Sequence, residues 1–262
     1  MSPKKHYLRW LALIAIVTNI AFNYLYPLLN PANPTIAQVS NKYNSLFMPA
    51  GYAFSIWGLI YLSFIVYGIV QLVPKSKFNV TYDRLAVPMV IVNALGSLWI
   101  VTFTNDQIAA SLMVIGGMLV AGAYMFVKAY QCYKSGWARA RLLVPFSLFL
   151  GWISVAAIAN TSIFLKSMQW GAFDLSEETW ANAMVITAAS LGIIFSILKR
   201  NYIFPLVIAW ALLAIYVEQK QPYPQIAITA AVAAIAVTFF ALAALFRTSQ
   251  YNKSRSHAAS TT

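Results

Sequence analysis

AGYAFSIWGLIYLSFIVYGIVQLV, residues 50–73, runs without a single charged side chain. About 20 apolar residues are needed for a helix to cross the ~30 Å hydrocarbon core of a bilayer, and this run is long enough. Its apolar residues do not alternate with polar ones as a half-buried strand's would. Inside hydrocarbon every backbone N–H and C=O must find an internal partner, so the stretch reads as a membrane-spanning helix.

Outward from this run the same pattern repeats. Apolar segments at 8–29, 85–104, 107–132, 142–165, 180–198, 203–217 and 226–246 bring the expectation to eight spans, the seventh of them short. The 262 residues are 61% hydrophobic and 9% charged, against roughly 45–50% and about 25% in a soluble domain. A water-soluble enzyme, a nucleic-acid module and a disordered chain are excluded. The fold class expected is all-α, a polytopic membrane helix bundle.

The formal net charge of +12 is explained by topology rather than by an acidic partner. With the N-terminus in the cytoplasm, only Lys42, Lys166 and Lys220 of the 18 Lys and Arg residues fall outside, while Asp83 alone of the 6 acids falls inside. Asp106, Asp174, Glu177, Glu178 and Glu218 lie outside, which leaves a balance of +14 inside and −2 outside. That asymmetry predicts cytoplasmic termini and an even number of crossings. Lys4, Lys5 and Arg9 ahead of an apolar run also resemble the start of a secretory signal. The run is longer than a signal core and no A-x-A-like site follows closely, so it reads as the first span.

Two outside loops are long, 30–49 and 166–179, and ordered loops of that length between packed helices often carry function. The Ser/Thr-rich tail 248–262 is expected to be disordered. Prolines recur after a basic residue at three inner helix starts, Arg84 then Pro88, Arg141 then Pro145, and Arg200 then Pro205. Proline in the first turns of a helix loses little hydrogen bonding.

No span holds Asp, Glu, Arg or His in its central region, which weighs against an ion-coupled transporter. Nor does the sequence offer a pair of intramembrane carboxylates, a Ser/His constellation or a Gly-rich phosphate loop, so it is not read as an enzyme. The lone Cys132 and the terminal His6 and His257 make no metal site. Aromatic residues, in contrast, make up 15% of the chain, including eight Trp. Trp10, Trp137, Trp170 and Trp180 fall at predicted membrane surfaces, where an indole anchors. Trp57, Trp99, Trp152 and Trp210 lie deeper, and a buried indole N–H needs a partner.

Phe54, Trp57 and Tyr61 share one helix face at i, i+3, i+7, which suits either a packed aromatic interface or the wall of a pocket for a flat apolar ligand. Asn19, Asn23, Asn93, Asn160 and Asn182 are costly in hydrocarbon unless bonded across helices, each such bond contributing ~0.6 kcal/mol. Small residues four apart, Gly117 with Ala121, Ala188 with Gly192 and Ser196, Ala230 with Ala234, favour close packing and are compatible with a homo-dimer.

The run Leu46-Phe47-Met48-Pro49-Ala50-Gly51-Tyr52-Ala53-Phe54-Ser55-Ile56-Trp57-Gly58-Leu59-Ile60-Tyr61 resembles the loop-and-second-helix signature of the TspO/MBR family, the tryptophan-rich sensory proteins and the mitochondrial translocator protein. Asn93 through Trp99 is similar to that family's third helix. Val144-Pro145-Phe146, Trp152 and Ala159-Asn160 are similar to its fifth. The resemblance covers about residues 5–165. Members of the family typically have five helices, and this chain adds three.

The resemblance implies a five-helix core over residues 1–166, an additional three-helix segment over 167–247 and the tail 248–262. It also implies a core pocket for porphyrins, haem-related tetrapyrroles or similar hydrophobic molecules, closed by loop 30–49. The ligand-binding residues expected are Tyr52, Phe54, Trp57, Tyr61, Asn93, Trp99, Trp152 and Asn160. No resident cofactor is expected apart from such a bound porphyrin or haem-related ligand. Membrane lipid and a hydrophobic small molecule are the expected partners, nucleic acid is not, and the location expected is the inner or plasma membrane of a bacterium. Two other readings stay open, an uncoupled facilitator-type transporter using all eight spans and an enzyme of tetrapyrrole breakdown.

Overall fold

Where apolar runs are this long the backbone coils through them, taking Pro27 and Pro88 inside helices. The computed structural model describes residues 6–73, 79–135, 140–170 and 175–260, with side chains as far as 247. Lys4, Lys5, Lys75, Lys77, Trp137, Arg139 and Asp174 lie outside the described residues, as do the side chains of Lys253, Arg255 and His257. The helices are α1 His6–Leu29, α2 Ile36–Lys42, α3 Ile56–Val70, α4 Asn79–Thr104, α5 Ile108–Lys134, α6 Leu143–Ser167, α7 Glu177–Lys199, α8 Ile203–Gln219 and α9 Pro224–Ser260. No strand occurs among the described residues.

Seven helical segments are long and apolar enough to cross a membrane, and α8 is a shorter apolar helix. At 17 residues α8 rises ~25 Å, at the lower limit for a crossing. The apolar stretch of α9 ends at Arg247. Its backbone nevertheless stays helical to Ser260 instead of loosening into the expected disordered tail, because no Gly or Pro follows Pro224 to stop it. Helix starts are set locally. Ser176 accepts from the Thr179 N–H at the head of α7, with Glu177 and Glu178 in the first turn, and Asn201 Oδ1 accepts from the N–H groups of Ile203 and Phe204 at the head of α8. Pro145 and Pro205 fall in first turns as expected. Pro88 does not, because α4 begins at Asn79, ahead of the apolar run, and Pro88 sits inside the helix.

The chain folds as two compact units, Met1–Ser45 with Phe54–Trp170, and Leu46–Ala53 with Gly171–Thr262. In the first unit five long helices close a ring in the order α1, α3, α6, α5, α4 and back to α1. Close approach is set by small residues. Gly122 lies under the Phe149 ring, where a Cβ would come within 2.9 Å of the ring carbon. α6 is buried at nearly every position from Leu143 to Val155, the pattern of a helix enclosed on all sides.

In the second unit α7, α8 and α9 pack on one another. Ala227, Ala230, Ala234, Val237, Ala241 and Ala244 give α9 a buried stripe at helical spacing. Gly192 of α7 leaves room for Val237, whose Cγ1 would stand 3.0 Å from a Cβ there. The segment Leu46–Ala53 belongs to this unit and is fastened to α8. Ala50 N–H donates to the Ala214 carbonyl at 3.1 Å, the Trp210 indole N–H donates to the Ala53 carbonyl at 3.1 Å, and the Gln219 amide donates to the Leu46 carbonyl at 2.9 Å.

Candidate ligand-binding site

After Pro49 the Ala53 N–H donates to the Ala50 carbonyl at 2.9 Å, and the chain passes through a 3-10 segment, Gly51–Ser55, before α3 begins at Ile56. Phe54 therefore stands a turn ahead of α3 and not on its regular face. Its ring meets Trp152 of α6 edge-on, centroids 5.6 Å apart, and Trp152 is only 2% exposed. Trp57 and Tyr61, four residues apart on α3, stack at 5.3 Å. Tyr52 belongs to the second unit, is 45% exposed and packs edge-on against Trp210 at 5.3 Å.

The amides form two groups. In the first, Asn19 of α1 donates to Asn93 of α4 at 3.1 Å, while its own side-chain oxygen accepts from Asn23 at 2.8 Å and Ser97 at 3.0 Å. Asn93 in turn donates to the Met89 carbonyl at 2.8 Å. Gly96 makes room for this network, since a Cβ there would lie 3.1 Å from the Asn19 oxygen. In the second, Asn160 of α6 and Ser111 of α5 bond at 3.3 Å, and Ser45 and Ser162 at 2.7 Å. Trp99 stacks on Phe103 at 4.8 Å, and its buried indole N–H has no hydrogen-bond partner among the described residues. Of the eight residues expected at the site, the structure thus pairs Phe54 with Trp152 and Trp57 with Tyr61, and ties Asn93 and Asn160 into helix-to-helix bonds. Trp210, read from the sequence as deep, is 36% exposed and donates to a loop carbonyl.

The loop 30–45 is structured around α2. Thr35 and Gln38 form a reciprocal capping box, and Lys42 pairs with Asp106 in the turn between α4 and α5. Tyr43 donates to the same carboxylate at 2.8 Å, and Asn33 donates to Asn105 at 3.3 Å. Partial desolvation would raise the Asp106 pKa, but the hydrogen bonds from Lys42 and Tyr43 hold it below its ordinary value of 3.8. The hydrogen bond to Asp106 pushes Lys42 above 10.5.

One cluster escaped the sequence reading. Arg9 of α1, assigned there to the cytoplasmic charge count, is buried. Its guanidinium donates to Asp83 of α4 at 2.9 Å, to the Gln71 carbonyl at 3.2 Å, to Asn79 Oδ1 at 3.0 Å and to the Asn79 carbonyl at 2.9 Å. Gln71 returns a bond to the Arg9 carbonyl at 3.0 Å. A lone acid among inner cations was the available signal.

The Phe54–Trp152 and Trp57–Tyr61 pairs and the amide bonds belong to the five-helix unit, and the sequence profile described as TSPO-like protein matches residues 9–243. The chain belongs to the TSPO-like protein family. No curated protein and no solved structure matches it. The match extends past the expected five-helix region, through α7 and α8 and into α9. Family and apolar helices together make it an integral membrane protein. No cluster of His, Cys, Asp or Glu suited to a metal ion occurs among the described residues.

Proposed function

We propose that this TSPO-like chain is a membrane receptor or carrier that binds tetrapyrroles or similar flat hydrophobic molecules in its five-helix unit. The observation that carries the reading is the aromatic set of α3, α6 and the 3-10 segment ahead of α3, Trp57 stacked on Tyr61 and Phe54 set against Trp152, in a unit whose buried polar side chains among the described residues are mostly amides and hydroxyls, with the Arg9–Asp83 cluster the charged exception. Aromatic faces give contact area with few rotors to freeze, and neutral donors orient a ligand without attracting ions. The unanswered indole N–H of Trp99 supports the same reading, since a buried donor without an acceptor is costly unless a ligand supplies one.

Binding is tested by tryptophan quenching and thermal shift of the purified protein against porphyrins. Trp57→Ala, at a half-buried position, should weaken affinity by tens-fold, the equivalent of ~1–3 kcal/mol of stacking, by analogy with aromatic stacking on nucleic-acid bases. Trp57→Phe, which keeps a π-face, should bind near-normally, and Trp170→Ala should be unaffected. Trp152→Ala leaves a cavity costing ~3–5 kcal/mol and is informative only in protein shown to be folded. Unchanged affinity in folded Trp57→Ala would make these residues packing. Saturable flux in vesicles would favour a facilitator, and loss of the porphyrin absorption bands would favour an enzyme.

A further inference from the structure

A groove of about 590 Å³ lies between α3, the start of α4 and the start of α6, and contains none of the eight residues assigned above. Leu62 and Val66 of α3 and Val144 and Leu148 of α6 give it apolar walls. Leu62 and Val66 are exposed, as residues facing lipid are. Two polar features break this lining. Arg141 stands two residues ahead of the first residue of α6, in the 3-10 turn Ala140–Leu142 that leads into it, where the helix dipole is positive, and no acidic side chain pairs with it among the described residues. Tyr67, 4% exposed, also lines the groove, and its hydroxyl has no hydrogen-bond partner among the described residues. From Leu59 to Val70 the α3 wall rises ~16 Å, close to the ~15 Å of one leaflet's hydrocarbon.

We infer that this groove is a binding site for one anionic phospholipid, its acyl chain along α3 and α6 and its phosphate on Arg141 and the Tyr67 hydroxyl. A neutral molecule could accept from the Tyr67 hydroxyl but would leave the Arg141 charge unanswered. Tyr67 lies in the last turn of α3 and Arg141 ahead of the first turn of α6, and both line the groove, where an anionic head joined to a chain would meet them. With the predicted orientation these helix ends face the cytoplasmic leaflet, whose surface is rich in anionic lipid.

The full-length protein is reconstituted in bilayers of equal phosphatidylglycerol and phosphatidylcholine with identical acyl chains, and retained lipid is read by native mass spectrometry. The wild type should carry phosphatidylglycerol in preference. Arg141→Gln should lower that preference about fivefold, the effect of ~1 kcal/mol per basic residue at a membrane surface. Tyr67→Phe should lower it too, with circular dichroism and thermal unfolding confirming the fold. Val66→Trp, which fills the trough from its exposed side, should displace the lipid altogether. Lys128→Gln, a cation on another helix, should change nothing. The inference is overturned by a wild type without headgroup preference, by preference that survives Arg141→Gln, by an equal fall in Lys128→Gln, or by a free fatty acid as the retained species. Porphyrin affinity should persist in Arg141→Gln, so this site and the aromatic one succeed or fail separately.

Discussion

Arg9 is 2% exposed, and a guanidinium in that setting is stable only while its donors are answered. Asp83 supplies the compensating charge at 2.8 Å, and Asn79 and Gln71 supply oxygens. Removing one member of such a pair strands the other, which typically costs 3–5 kcal/mol. Asp83→Ala should therefore destabilise the protein by about 3 kcal/mol or more in thermal or denaturant unfolding. Replacing both, as Arg9→Met with Asp83→Leu, should recover most of the loss, because a hydrophobic pair of similar size is often neutral. A double variant that loses the sum of the singles would show the pair is not a unit. The sequence made Asp83 conspicuous as the lone inner acid, but nothing local said that α1 would bring Arg9 to it across 74 positions.

α2 shows the same limit one level up. The spacing Thr35, Gln38 is a helix-start signature that attention to long apolar runs passes over, and it builds a short helix inside the long outside loop. That helix is held to the α4–α5 turn through Asp106, and the tether has a pH window. Asp106 titrates below its ordinary 3.8, so its contribution is present above that value and falls away as the carboxylate is protonated through its lower folded pKa. Lys42 titrates above 10.5, so its contribution is complete below that value and is lost as pH rises through the higher folded pKa. Hydrogen exchange over residues 30–45 should therefore show protection between about pH 4 and pH 10 that declines on either side. An exchange profile that does not change across pH 3–5 would mean the ion pair does not hold the loop.

The eight apolar runs correspond to α1 and α3–α9, since hydrophobic length is dictated by the bilayer and is read without knowing any contact. Boundaries between units are a different matter. The segment 46–53 looked continuous with the helix that follows it, yet it is bonded to α8 more than 150 residues later, and no local pattern encodes that. Charge asymmetry is the remaining whole-chain signal, and it predicts that reporters fused after Arg247 and within loop 166–178 lie on opposite sides of the membrane. The same side for both would refute an even number of crossings with cytoplasmic ends.

The bonds from α8 to Leu46, Ala50 and Ala53 also set a clock. The Leu46 carbonyl waits for an amide 173 positions downstream, and at ~5–20 residues synthesised per second that is about 9–35 s. Through that interval the family's signature loop has been made but cannot be finished. A lesion in α8 would then surface first as a nascent chain whose residues 46–53 stay open to proteases and chaperones long after the five-helix ring has inserted.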